Sequence, residues 1–477
     1  KESKMFSYSI LFVFIAYVTS VYGVATPIKS LPGWKGSLPS HWYSGLVDTS
    51  PSPAGTKMFT HYVFVESETN KANAPVIIWM NGGPGASSMF GLLVELGPLQ
   101  LNDASMLDPV YNTTGIPQLI YNEFSWSKFA HLLIIDFPPP VGFSFCNPPG
   151  PAGGGPSCGA WNDTSTTMAN HRAIKAVLTQ ELPQYLSNEL YIIGESYAGI
   201  YVPMLAEALR KDQSTHFNLR GIGVGDGCQG TDVLCGSGSG PLKRGGGPWY
   251  DLLFMYGHGQ MSNALYNAIR KQCPESELRH GGLNTICQTL VKKAEANYGK
   301  FYAYNLYDNC HDNIFKNSKH LHKMGNLHWG RTVPFSAHTG YYCPGQSMEM
   351  WLNRADVRKA LNVPVNSNFF SEDNGNGFTY VPTQKNVLPI YIDYMTKYNI
   401  RTLVYNGDTD PAINSFVTQD IFFDYFADNN MAMTEEWRPW SHTANASYTM
   451  GYVQEYAGNF RYVTHRGSGH MVPQFVP

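Results

Sequence analysis

The chain has 477 residues, 43% of them hydrophobic and only 14% charged, with 30 Tyr, 25 Phe and 10 Trp. That length supports one large domain or two, with a sizeable apolar core. A formal net charge of −3 offers no basic field to a polyanion, and no DNA- or RNA-binding motif is present, so nucleic acid is excluded as a partner.

At the amino terminus, Ile10 to Val21 is a short apolar run followed by the small residues Gly23 and Ala25. It is short for a membrane span and fits a cleaved secretory signal over residues 5–25, with no stable membrane insertion afterwards. The charged flank Lys1-Glu-Ser-Lys4 precedes Met5. A secretory route, ending outside the cell or in a lysosome or vacuole, gives the other features one meaning. Asn112, Asn162 and Asn445 each open a glycosylation sequon. Eight cysteines suit four disulfides in an oxidising compartment, with the near neighbours Cys228–Cys235 and Cys273–Cys287 as preferred pairs.

The alternation in Thr60 to Glu66 predicts strands of an antiparallel opening to a sheet. Pro75-Val-Ile-Ile-Trp-Met80 is continuously apolar, as in a strand buried on both faces, and breaks into Asn81-Gly-Gly-Pro-Gly-Ala-Ser-Ser88. A glycine-rich loop after a buried strand can bare backbone N–H groups to a developing oxyanion. His131 to Asp136 is a second buried strand, and Thr164 to Glu181 predicts an amphipathic helix.

Leu190-Tyr-Ile-Ile-Gly-Glu-Ser-Tyr-Ala-Gly199 then reads as strand, tight turn and helix. Small residues at Gly194 and Ala198 allow a strained turn that lifts the Ser196 hydroxyl clear of the sheet. The oxyanion donors predicted here are the N–H groups of Gly83 and Tyr197. Leu219 to Gly225 is a further strand, turning at Asp226-Gly227. Strands alternating with helices indicate an α/β fold built on a mixed, mainly parallel sheet.

From Cys228 the texture changes. Residues 235–247 are Gly/Ser-rich, and helical patterns follow at Trp249–Tyr256, Asn263–Gln272 and Asn284–Asn297. Residues 228–346 read as an inserted helical cap between core segments 26–227 and 347–477. The irregular spacing of His311, His320, His322, His328 and His338 favours a solvated loop over a metal site, and no cofactor is expected. Met348 to Leu361 predicts one charged helix, and Thr402–Tyr405 and Phe460–Thr464 are the last strands.

Each of these strands ends in a loop bearing chemistry, in the order serine, acid, histidine, which is the α/β-hydrolase order. A serine hydroxyl attacks only when a base takes its proton, and the base needs a carboxylate to fix its tautomer. His470, framed by glycines and a proline, is preferred as base to His465. Asp410, deeper in its loop, is preferred as acid to Asp408.

Together, Asn81-Gly-Gly-Pro-Gly85, Gly194-Glu-Ser-Tyr-Ala-Gly199, Gly407-Asp-Thr-Asp410 and Gly469-His-Met-Val-Pro473 resemble the signature blocks of the serine carboxypeptidase family. The likeness runs from about Trp42 to the end and includes Asn353 to Leu361. It implies an α/β-hydrolase fold, the triad Ser196, Asp410 and His470, and oxyanion donors Gly83 and Tyr197. It implies release of C-terminal residues from peptides and proteins through an acyl-enzyme, favoured at acid pH. Asn81, Glu95 and Glu195 match positions that bind the substrate's terminal carboxylate. Two adjacent carboxyls cannot both ionise cheaply, so one keeps a proton and can donate; without the resemblance, Glu95 would pass for an exposed helix residue.

Acyltransferases of the same fold are the alternative, although such relatives tend to carry aspartate beside the nucleophile, where this chain has Glu195. A protective or binding glycoprotein is another. The family's usual cysteine after Gly-Gly-Pro-Gly is Ala86 here, which leaves Cys343 to pair elsewhere, with Cys310, or to stay free. The family's closing helix is not seen after the histidine block, so a C-terminally truncated chain with an open sheet face is expected.

Overall fold

The computed structural model describes residues 25–51, 56–69, 71–231, 233, 248–299, 301–308, 343, 346–371, 377–443 and 448–476. The signal segment up to residue 24, the sequon at Asn445, the Gly/Ser-rich stretch and the five cap histidines lie outside these residues.

Sixteen strands are present among the described residues. The first eight are β1 (Pro27–Ile28), β2 (Trp42–Asp48), β3 (Lys57–Val65), β4 (Val76–Met80), β5 (Leu99–Gln100), β6 (Ile120–Tyr121), β7 (His131–Ile135) and β8 (Phe145–Asn147). Then come β9 (Ala160–Asn162), β10 (Leu190–Glu195), β11 (Leu219–Gly225), β12 (Thr379–Val381), β13 (Arg401–Gly407), β14 (Met433–Trp440), β15 (Gly451–Tyr456) and β16 (Phe460–His465). Twelve of them make one sheet in the order β1-β2-β3-β7-β4-β10-β11-β13-β16-β15-β14, with β8 beside β3. The six from β7 to β16 in that order run parallel, and antiparallel strands flank them on both sides. The expected antiparallel opening and parallel centre are both present.

The continuous apolar run of β4 is explained by its two burials. Val76, Ile78 and Met80 pack under the helices Asp163–Ala176 and Ala198–Arg210, while Ile77 and Trp79 face Leu92, Trp351 and Leu352 on the other side. Burying both faces removes any place for a polar residue, so the period of two disappears from the sequence. Over β10, β11 and β13 a groove of about 530 Å³ opens, lined among others by Tyr191, Ile193 and Leu403.

Helices Trp249–Gly257, Asn263–Gln272 and Thr285–Tyr298 lie where the apolar spacing put them, with a short helix Glu275–His280 between. The predicted helix 348–361 is corrected to two, Ser347–Leu352 and Ala355–Ala360. Arg354 breaks it by taking an extended backbone and chelating Asp356 with its guanidinium. Cys273–Cys287 is bonded as preferred. Cys146–Cys158 is a bond the sequence reading did not pair. Cys343 is disulfide-bonded, with Cys310 outside the described residues, as is Cys235, the partner expected for the buried Cys228.

Candidate active site

The parallel strands deliver their C-terminal loops to one end of the sheet. At the end of β10 the chain turns at once into the helix Ala198–Arg210, with Ser196 in the left-handed region at φ 63°. A non-glycine residue there costs about 1–3 kcal/mol and persists only where its surroundings hold it. They do: Ser196 N–H donates to Gly225 O (3.0 Å), and Ser196 O accepts from Gly199 and Cys228 N–H (both 2.9 Å). Gly194 and Ala198 are small for the expected reason. A Cβ on Gly194 would sit 2.4 Å from Met80 O and 2.8 Å from the Ala198 methyl. The Asn81 loop comes equally close, since a Cβ on Gly82 would stand 2.4 Å from Tyr197 N.

Beyond β13 and β16, the loops lean on each other. Thr409 N–H and Oγ1 both donate to Ser468 O, at 2.9 and 2.7 Å. Asp410 is fully buried and accepts from Ala412 N–H (2.8 Å) and Ile413 N–H (3.2 Å), with His470 Nδ1 2.7 Å from its Oδ2. A carboxylate facing Nδ1 fixes the proton there and leaves Nε2 as the basic nitrogen. The rivals are engaged elsewhere. Asp408 accepts from Gly467 N–H (2.7 Å), and burial pushes its carboxyl up to about 6. His465 packs its ring on Tyr405 and Trp440, where burial lowers it to about 4.

A second polar knot adjoins this pair. Asn81 Oδ1 accepts from Trp79 Nε1 and Gly91 N–H (both 2.9 Å), which orients the amide. Its Nδ2 then donates to Glu95 Oε1 (2.9 Å) and Glu195 Oε1 (2.8 Å). The other carboxyl oxygen of each glutamate is buried without a hydrogen-bond partner among the described residues. Burial raises Glu95 to about 7 and raises Glu195 well above the usual carboxylate range, with the charge of Glu95 as the next cause. One proton held between them would satisfy both orphaned oxygens. Glu95 is thus no exposed helix residue. It is fully buried in the π-helical turn Gly91–Glu95, which can close on Asn81 because a Cβ on Gly91 would sit 2.0 Å from Trp79 Nε1.

Sequence reasoning missed other contributors. Asp163 accepts from the hydroxyls of Tyr197 (2.7 Å) and Tyr380 (2.8 Å) and from Thr383 and Gln384 N–H (2.5 and 2.6 Å). It therefore anchors the residue after Ser196. Its only sequence signal was the sequon at Asn162, whose side chain caps the helix by accepting from Ser165 N–H. Tyr304 O accepts from His470 N–H (2.8 Å), and its ring lies 5.2 Å from the imidazole. Phe90, Tyr302, Met471 and Phe475 extend that apolar wall. Among the described residues one group has spacing that would admit a cation, Asp226, Asp410 and His470, and its ring nitrogen is committed to Asp410.

Residues 32–477 match the family model described as serine carboxypeptidase. The chain is 30% identical to "Serine carboxypeptidase ctsa-4.1" of Caenorhabditis elegans, covering 98% of this chain and 94% of that protein. It is 28% identical to the "Lysosomal protective protein" of Mus musculus, covering 94% of this chain and 90% of that protein. Among solved structures, KEX1(delta)p, a prohormone-processing carboxypeptidase from Saccharomyces cerevisiae, aligns with a TM-score of 0.65 at 18% identity, covering 94% of this chain and 92% of that one. That structural likeness shows the α/β-hydrolase fold, and no helix among the described residues is long and apolar enough to cross a membrane. The chain belongs to the serine carboxypeptidase family and is a serine-type hydrolase of carboxypeptidase class.

Proposed function

We propose that Ser196 is the nucleophile, His470 the base and Asp410 its orienting carboxylate, and that Asn81, Glu95 and Glu195 read the free C-terminus of a peptide. Nε2 of His470 takes the serine proton as Oγ attacks the scissile carbonyl, and the N–H groups of Gly83 and Tyr197 receive the oxyanion. His470 then gives the proton to the leaving amino acid, and water repeats the cycle on the acyl-enzyme. The observation that carries the reading is the Asn81-bridged carboxyl pair beside the His470–Asp410 pair. To hold a carboxylate without arginine, Asn81 turns one N–H from a glutamate to the ligand and the pair turns a carboxyl proton to it, which requires that a proton stays on the pair. Acid pH therefore favours binding. The disulfides, the sequons at Asn112 and Asn162, and a lysosomal relative support a secretory route to the outside or to a lysosome or vacuole.

The test is an N-blocked dipeptide beside its C-terminal amide, assayed across pH. KM for the free acid should climb as pH passes about 7, and KM for the amide should not. Parallel profiles would remove the carboxylate-reading role from the two glutamates.

A further inference from the structure

Asp226 follows β11 in the left-handed region at φ 40° and is fully buried. One of its oxygens accepts from Asn406 Nδ2 (2.8 Å) and Gly407 N–H (3.1 Å); among the described residues the one N–H that reaches the other is that of Gly407 again, at a longer 3.2 Å. A carboxyl oxygen of Asp226, one of Asp410 and a ring nitrogen of His470 all lie within 4.8 Å of one another. The groups facing Asp226 are Asp410, Glu195, His470 and the hydroxyls of Tyr405 and Tyr462, and no lysine or arginine pairs with it among the described residues. Two buried carboxylates cannot both ionise in such a place.

We propose that Asp226 is a positioning residue that keeps its proton and donates it to Asp410, so that Asp226, Asp410 and His470 form one hydrogen-bonded line. The donor count decides which carboxyl holds the proton. Asp410 accepts from two backbone N–H groups and from His470, with both oxygens occupied. Asp226 has one oxygen with little to accept, so the hydrogen sits there. Burial and the charge of Asp410 act in the same direction, raising Asp226 well above the usual carboxylate range. A proton on Asp226 turns a repulsion into a bond that steadies Asp410 under the imidazole. This inference rests on Ser196, Asp410 and His470 being the catalytic set.

The test uses the full chain, a fluorophosphonate probe and an N-blocked dipeptide ester, which lacks the terminal carboxylate. Asparagine at 226 can accept from Asn406 and Gly407, donate to Asp410, and adopt positive φ readily. Asp226→Ala should lower ester kcat roughly ten- to a hundredfold, as loss of a hydrogen bond to a charged group does, and Asp226→Asn should recover most of that loss. The acid limb of kcat in Asp226→Asn should coincide with that of the unaltered enzyme. An ionised Asp226 would instead hold His470 protonated, and replacing it with Asn would drop the acid limb by roughly two pH units, overturning the proposal. Failure of Asn to rescue Ala would also overturn it. Ser196→Ala separates the two readings: loss of labelling upholds the catalytic set whatever Asp226 does, and persistent labelling overturns both.

Discussion

Ser44, His61 and Asp136 form a hydrogen-bonded line with the spacing a hydrolytic triad has. Ser44 Oγ is 3.0 Å from His61 Nε2, and His61 Nδ1 is 2.7 Å from Asp136 Oδ2, the same 2.7 Å that separates His470 from Asp410. What differs is everything around it. Ser44 and His61 sit inside the paired strands β2 and β3, and all three side chains are sealed from solvent. Ser44 donates its hydrogen to Leu361 O (2.7 Å), so the hydrogen between Ser44 and His61 comes from the ring. A serine in that state cannot pass its proton to the imidazole. Asp136 is also held by Ser87 Oγ and Phe143 N–H, and a Cβ on Gly142 would strike it at 1.9 Å. This array ties β2, β3 and the segment after β7 to the helix Ala355–Ala360. At Ser196 the serine stands partly exposed on a strained turn, at a helix start, beside a glycine loop. Triad spacing alone therefore does not make a catalytic centre: the Ser44 hydroxyl has no proton to give its histidine, whereas Ser196, the proposed nucleophile, stands partly exposed beside the Asn81 loop.

The sharpest break between the arrays is at the serines. Ser196→Ala should abolish fluorophosphonate labelling and lower peptidase kcat by roughly four to six orders of magnitude. Ser44→Ala should leave labelling intact and shift the urea midpoint, the loss of a buried hydrogen-bond partner costing about 1–3 kcal/mol. Labelling that survives Ser196→Ala would reverse the roles.

The acids should divide the same way. Asp410→Asn is expected to lower kcat roughly 10⁴-fold through the wrong imidazole tautomer, and Asp408→Asn far less. Asp136→Asn should destabilise the fold by about 3–5 kcal/mol, as breaking a buried pair does, with ester turnover per folded molecule retained. Equal kcat losses for Asp410 and Asp408 would remove the preference between them.

A smaller effect belongs to the carboxyl pair. Glu195→Gln should flatten the rise of free-acid KM above pH 7, because an amide donates without titrating, and leave amide KM nearly unmoved. A rise that persists in this variant would place the titrating group elsewhere.

The loops of the proposed site were legible in sequence because their backbones make local demands that only certain residues meet. Gly82, Gly194 and Ala198 stand where a larger side chain would strike a neighbour, and the serine–acid–histidine order follows from consecutive strand ends. The buried strands were legible for a similar reason, since burial on both faces leaves an unbroken apolar run. Asp163 was not, because its partners Thr383 and Gln384 lie 220 and 221 residues away and no local pattern announces them. Asp226 read as an ordinary turn residue, and the charge that matters to it arrives on a different strand's loop. The Ser44–His61–Asp136 array carries no motif, since its members hold ordinary strand positions. Cys146–Cys158 has a separation of 12, close to the 14 of Cys273–Cys287, and nothing in the residues ranks one above the other.

The smallest expected effect is on stability, and its sign follows from the carboxyls at the site. Burial raises Glu95 from its ordinary 4.5 to about 7, and it raises Glu195 and Asp226 as well. Between the ordinary and the raised value, the folded protein holds a proton that the unfolded chain has released. Stability therefore falls as pH rises through that window, by up to about 1.4 kcal/mol per pH unit for each such proton. Asp212 works the opposite way: hydrogen bonds from Ser214 and Lys175 outweigh its burial and lower its carboxyl, so its contribution is lost only in strong acid. The melting temperature should accordingly be higher near pH 5 than near pH 7.5. Glu95→Gln should flatten that slope by removing one titrating group, whereas Ser44→Ala should lower the whole curve and keep its slope. Calorimetry across pH 4.5 to 8 on the three proteins reads this directly. A slope unchanged by Glu95→Gln would mean that the proton lost on warming at neutral pH does not come from the glutamate pair, and the proposed acid preference would then have to be sought at Asp226, Asp408 or Asp103, the last raised to about 8 by burial alone.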